Sequence, residues 1–163
     1  ASFETKRWPI SSYIELCYKI LKEPSLKEFK LVIIGGPMDN YCAEFNKIKD
    51  ERLLNLQGKT TIQESNSFMA NSCLTITNDT GSAHMSESFG VPVINFFGAT
   101  SPSFGFKTHL KNSHSLYASI KCSPCSNTGS KKCHQTSYMC LEAITPSVAY
   151  EYVYAVLQDL ENV

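Results

Sequence analysis

The sequence predicts a Rossmann-like, doubly wound α/β domain built on a parallel sheet, with residues 1–163 forming one domain. Three observations lead there. Short apolar runs alternate with segments whose apolar residues recur at helical spacing. The runs are apolar at successive positions, as strands covered on both faces require. Most of them end in glycine or a small polar loop, where a chain turns from strand to helix.

The elements follow in order. Pro9 with Ser11 and Ser12 opens a helix, continued by Tyr13, Leu16, Cys17, Ile20 and Leu21. "FKLVIIGG" (29–36) is a buried strand rich in β-branched residues. Residues 39–49 form a helix with Phe45 and Ile48 inward, and "RLLNLQG" (52–58) a second strand. Residues 60–72 carry Ile62, Phe68 and Met69 on a helical pattern. "CLTITN" (73–78) is a strand, 81–89 a short helix and "VPVINFFG" (91–98) another strand. "SLYASIKC" (115–122) is a shorter strand leading into a cysteine-rich loop. Pro146 starts a last helix with Val148, Tyr152, Ala155, Val156 and Leu160 on its inner face.

Composition narrows the function. The 15 basic and 15 acidic side chains balance, which argues against an electrostatic grip on nucleic acid. No apolar run is long enough to span a membrane and no signal peptide opens the chain. Seven cysteines are an odd number, and Cys17, Cys42 and Cys73 sit among apolar neighbours, so buried reduced thiols and a cytoplasmic setting are expected. The abrupt start, "ASFETKRWP", reads as a piece of a longer chain.

In doubly wound folds ligands sit beyond the carboxyl ends of the strands. Three loops there draw attention: "GGPMDN", "QGKTT" and "NDTGSAH". In the last, Asp79 or Thr80 caps the helix that follows, and Gly81 lets a ligand approach the backbone. The free N–H groups and the helix dipole make a phosphate seat, with His84 one turn further on. As a bare pattern the same residues are an N-cap and a tight turn. Lys6 and Arg7 precede a helix start, where a cation does not favour the dipole; they are either a solvated charge pair or aimed at an anion. Asp39 is either a turn residue or an acceptor for a ribose diol. Neither GxGxxG nor a Walker A loop occurs. Cys122-x2-Cys125-x7-Cys133-x6-Cys140 offers four thiols for tetrahedral zinc, but without a second CxxC the expectation is packed thiols and no metal.

Taken in order, "TKRWP", "LVIIGGP", "LQGKTT", "TNDTGSAHMSESFGVPVINFFGATSP" and "CSPC" with two further cysteines resemble the ADP-heptose:lipopolysaccharide heptosyltransferases of glycosyltransferase family 9. The resemblance implies the second, nucleotide-sugar-binding half of the two-domain GT-B architecture. It implies a donor such as ADP-heptose, a lipopolysaccharide acceptor, transfer without a metal or cofactor, and a general base in the family's other domain. A site at the cytoplasmic face of the inner membrane is implied as well. Residue by residue, it assigns Lys6, with Thr5 beside it, to the donor phosphates, Asp39 to ribose hydroxyls and Thr60 to the neighbourhood of adenine. It assigns Asp79 to sugar hydroxyls, Thr80 and Gly81 to the diphosphate through their N–H groups, and His84 to support of that seat. Met85-Ser86-Glu87-Ser88 departs from the family's alanine-rich helix. Two rival readings remain: a non-catalytic nucleotide- or glycan-binding module of the same fold, and a zinc-stabilised interaction domain on Cys122–Cys140.

Overall fold

The computed structural model describes residues 1–161. The described residues hold five strands, all where expected, and five α-helices, of which the short one at Met139–Glu142 was not expected. In chain order they are α1 (Ile10–Lys22), β1 (Leu31–Ile33), β2 (Leu53–Asn55), α2 (Ile62–Ala70), β3 (Thr75–Asn78), α3 (Gly81–Ser88), β4 (Val93–Phe97), β5 (His114–Tyr117), α4 (Met139–Glu142) and α5 (Pro146–Glu161). The stretch expected as a helix at 39–49 is instead a tighter 3-10 helix, Asn40–Lys47, although Phe45 and Ile48 do point inward. No described helix is long and apolar enough to cross a membrane.

All strand pairs are parallel, but the ladder is interrupted. β1 pairs with β2, and β3, β4 and β5 form a second sheet with β4 central. A cleft of about 860 Å3 is lined by both β1 and β3. The reading of 29–36 as a fully buried strand therefore fails: Val32 is 38% exposed, because its short two-stranded sheet is not covered on both sides. β4 fits the expectation, with all five residues buried. Successive side chains of a strand point to opposite faces. Ile94 and Phe96 join a core with Trp8, Leu16, Ile20, Leu141, Val153 and Leu157, so this face is covered by α1, α4 and α5. α3 covers the other face, where the Ser86 hydroxyl donates to Thr75 Oγ1 at 2.8 Å.

Two helices turn differently from their sequence pattern. In α5 the buried residues are Ala149, Val153, Val156 and Leu157, while Val148, Tyr152 and Leu160 are exposed. This helix is apolar nearly all round, so periodicity alone left two faces open. Ala149 is fully buried in the main core. α2 buries none of its residues, and Ile62 is 74% exposed. It is held at its start by a capping box instead: Thr61 Oγ1 accepts from the Glu64 N–H, and Glu64 accepts from the Thr61 N–H. Cys17 and Cys42 are buried in a second cluster with Phe45 and Ile48, but Cys73, expected to be buried, is exposed.

Candidate functional site

The site is assembled around Trp8. Its indole is buried, stacked on Phe96 at 4.2 Å and met edge-on by Tyr13 at 4.8 Å. Its Nε1–H donates to the Ile144 carbonyl and its backbone N–H to Asn78 Oδ1, both at 2.8 Å. Burying an indole in this way stabilises the fold by roughly 3 kcal/mol or more. Asn78 ends β3 and also accepts from the Tyr13 hydroxyl at 3.1 Å, so the 4–8 segment is pinned to that strand end. Burial holds the Tyr13 phenol protonated, well above its ordinary range.

Fixing Trp8 to Asn78 brings Lys6 to Asp79, the next residue of the strand end. Lys6 Nζ lies 2.8 Å from Asp79 Oδ2, with side-chain exposures of 17% and 5%. The same oxygen accepts from the Thr100 hydroxyl at 2.7 Å. The expected N-cap is therefore not formed. Thr80 is the N-cap residue of α3 by position, but no side chain caps the helix, because Asp79 is turned to Lys6 and Thr100. The first intrahelical bond runs from the Ala83 N–H to the Thr80 carbonyl. A Cβ placed on Gly81 would meet nothing within 4 Å, so the approach to the helix start is open. A helix start without a side-chain cap, a lysine and an open face are together the chemistry that can seat an anion.

The remaining expected residues divide. Thr5 lies next to Lys6, but it is 2% exposed and its hydroxyl is engaged with Ser130, so it does not face the open side. Arg7 turns away too: its Nε donates to the Ala1 carbonyl at 2.7 Å and its guanidinium lies 4.6 Å from the Tyr41 ring centroid. Asp39 accepts from the Gly36 N–H at 2.9 Å within its turn. It lines the long cleft together with Gly35, Thr60, Thr80, Ser82 and Met85, so the three loops do converge. The Thr60 hydroxyl is paired with that of Ser65 at 2.9 Å. His84 is exposed rather than tucked behind the seat, with its ring centroid 6.2 Å from that of Phe106.

Three features escaped the sequence reading. Glu87 does not face solvent: its Oε1 accepts from the His109 and Leu110 N–H groups at 2.7 and 3.0 Å, anchoring the loop that carries Phe106. Burial pushes its carboxyl up, but these bonds and the Ser113 hydroxyl hold it net below the usual value. Asn95, wholly buried in β4, has no hydrogen-bond partner for either side-chain atom; a lone amide inside "VPVINFFG" was its signal. Third, the balanced charge is segregated. From Ser88 to Leu141 there is no Asp or Glu, while Lys107, Lys111, Lys121, Lys131 and Lys132 are all exposed. None of the five is ion-paired among the described residues.

All seven cysteines are free thiols. Among the described residues no three His, Cys, Asp or Glu side chains are gathered so as to hold a metal ion. Cys140 is buried in the main core and Cys125 is exposed.

The chain and its fold are similar to known proteins. The chain is 29% identical over 104 residues to lipooligosaccharide heptosyltransferase 2 of Haemophilus influenzae, covering 61% of this chain and 29% of that protein. Its fold is similar to that of the ADP-heptose lps heptosyltransferase II of Escherichia coli, with a TM-score of 0.77 at 23% identity, over 98% of this chain and 44% of that one. It is also similar to the E. coli heptosyltransferase WaaC with ADP-2-deoxy-2-fluoro heptose, with a TM-score of 0.70 at 15% identity, over 95% of this chain and 40% of that one. The chain thus spans less than half the length of these relatives. The family model for glycosyltransferase family 9 (heptosyltransferase) matches residues 1–135, which includes the Lys6–Asp79 site, and the chain belongs to that family.

Proposed function

We propose that this chain is the donor-binding domain of a glycosyltransferase that moves a sugar, heptose from ADP-heptose, onto lipopolysaccharide core. The observation that carries the reading is the Lys6–Asp79 pair at the open, uncapped start of α3. In this reading Lys6 and the N–H groups of Thr80 and Gly81 take the diphosphate. As the bond between the anomeric carbon and the phosphate oxygen breaks, negative charge grows on the leaving ADP, and the ammonium and the helix dipole stabilise it. Asp79, with one oxygen held by Thr100, accepts from sugar hydroxyls. Asp39 and Thr60, which line the cleft, serve the ribose and base. The acceptor hydroxyl is activated by a general base in the family's other domain.

The acid-free segment supports an anionic, membrane-borne acceptor at the cytoplasmic face. Phe106, 45% exposed beside His84, and Phe104 are flanked by Lys107 and Lys111. Aromatic rings with unpaired lysines suit an interface carrying phosphate. The test of the main reading is calorimetry of the 163-residue chain with ADP, followed by transfer assays of the full-length protein carrying Lys6→Ala or Asp79→Ala. The reading predicts weak ADP binding and no turnover by the chain alone, and loss of transfer in both full-length variants. Transfer by the isolated chain, or unaltered transfer in the variants, counts against it. A binding module would show ADP affinity and no transfer in either form.

A further inference from the structure

Thr5 is placed where a donor-contacting residue was expected, yet its hydroxyl is fully engaged elsewhere. Oγ1 donates to the Ser130 carbonyl at 2.9 Å and accepts from the Ser130 N–H at 2.8 Å. The Thr5 carbonyl accepts from the Ala99 N–H at 3.1 Å. The neighbouring Gly129 has φ +97, and a Cβ there would sit 2.7 Å from Lys6 Cδ and 2.9 Å from Lys6 Cγ. The loop of residues 122–138 therefore lies on the methylenes of Lys6. That loop is itself tied down. The Ser123 hydroxyl donates to the Gly98 carbonyl at 2.6 Å, the N–H groups of Cys125 and Ser126 both donate to the Ala99 carbonyl, and the Tyr138 hydroxyl donates to Glu4 Oε2 at 3.0 Å.

We propose that the loop of residues 122–138 is a clamp for Lys6, and that Thr5 is a positioning residue that holds the clamp shut through Ser130. This rests on the reading of Lys6 as a phosphate partner. A lysine has four rotatable side-chain bonds, and binding a phosphate with it normally freezes them at that moment. Here the stem is already packed against Gly129, and its side chain is 17% exposed, so chiefly the ammonium has to exchange Asp79 for the ligand. The cysteine-rich loop then acts on the donor site through packing and hydrogen bonds.

The test is calorimetry of the 163-residue chain with ADP and with adenosine, which lacks phosphate. Lys6→Ala should lower ADP affinity on the order of tenfold, the worth of one charge-assisted hydrogen bond, and leave adenosine unchanged. Thr5→Val keeps the shape and removes both bonds to Ser130; it should lower ADP affinity about three- to tenfold, again with adenosine unchanged. Thr5→Ser should restore ADP affinity although it loses a buried methyl and melts earlier. The double variant Thr5→Val with Lys6→Ala should bind ADP no worse than Lys6→Ala alone. If Thr5→Val does not fold, Gly129→Ala, which pushes on the Lys6 stem directly, should show the same selective loss of ADP. Wild-type ADP affinity in Thr5→Val or in Gly129→Ala, equal losses for ADP and adenosine, or additive losses in the double variant overturn the clamp. Unchanged ADP affinity in Lys6→Ala overturns the reading of Lys6 itself, and the clamp with it.

Discussion

The ammonium of Lys6 and the carboxylate of Asp79 are 2.8 Å apart, and both are largely shielded from water. They satisfy each other, so under the proposed function a diphosphate has to compete with Asp79 for Lys6. That competition has a sign. Asp79→Asn frees Lys6 and removes a negative charge beside the proposed seat, so ADP should bind a few-fold more tightly, while an ADP-sugar, whose hydroxyls the proposal assigns to the carboxylate, should bind less well. Lys6→Met should weaken both ligands and cost about 1–3 kcal/mol of stability, because it strands a buried carboxylate with only Thr100. Titration of the two variants with both ligands checks this; ADP weakened by Asp79→Asn would contradict it.

Gly81 and Gly98 should respond in opposite ways to alanine. A Cβ on Gly81 meets nothing within 4 Å, and the residue begins a helix, so Gly81→Ala should leave stability equal or raise it by up to about 1 kcal/mol while weakening ADP by crowding the seat. A Cβ on Gly98 would stand 2.6 Å from the Thr5 carbonyl oxygen and 2.7 Å from Leu141 Cγ. Gly98→Ala should therefore cost about 1–3 kcal/mol, by separating the 4–8 segment from β4. Thermal melts of the two variants decide it.

Glu87 should make the loop at 109–110 pH-dependent. Its carboxyl is held below the ordinary value of 4.5, so its contribution is present above that pH and is lost as pH falls through the lowered folded value. Glu87→Gln should cost about 1 kcal/mol at neutral pH, the worth of bonds to a charged acceptor at a partly solvated site. The gap in melting temperature between wild type and Glu87→Gln should close as pH falls below 4.5. A gap that widens in acid would show that Glu87 is not held by its charge.

The cysteines should react in two classes. Burial pushes the Cys17 thiol up to about 12 and that of Cys42 to about 11, so at pH 8 neither has appreciable thiolate, and both lie inside a core cluster. Cys73 and Cys125 are exposed. Alkylation of the native protein followed by mass spectrometry should label Cys73 and Cys125 well before Cys17 and Cys42. Early labelling of Cys17 would mean that the α1 side of the core opens readily.

By itself the sequence determined most of the elements and their parallel sense, though not the 3-10 form of Asn40–Lys47 or the short helix Met139–Glu142. Apolar runs, helical spacing and the helix-opening prolines Pro9 and Pro146 act locally, and local rules read them correctly. It also marked Lys6, Asp79 and Gly81, through residue types that suit an anion and through the ordered motifs of a family. Tertiary structure decided what each of them touches. Asp79 was free by sequence to cap α3, and only the docking of Trp8 against Asn78 delivered Lys6 to claim it. Thr5 and His84 exchanged their expected surroundings, and Glu87 found its partners, for the same reason: whether a side chain faces ligand, solvent or another loop depends on partners far along the chain, such as Ser130, Phe106 and Leu110. The inner face of α5 and the break between the two sheets were settled in the same way, by which surfaces could pack closely. Periodicity reports that a face is apolar, but close packing chooses which apolar face is buried.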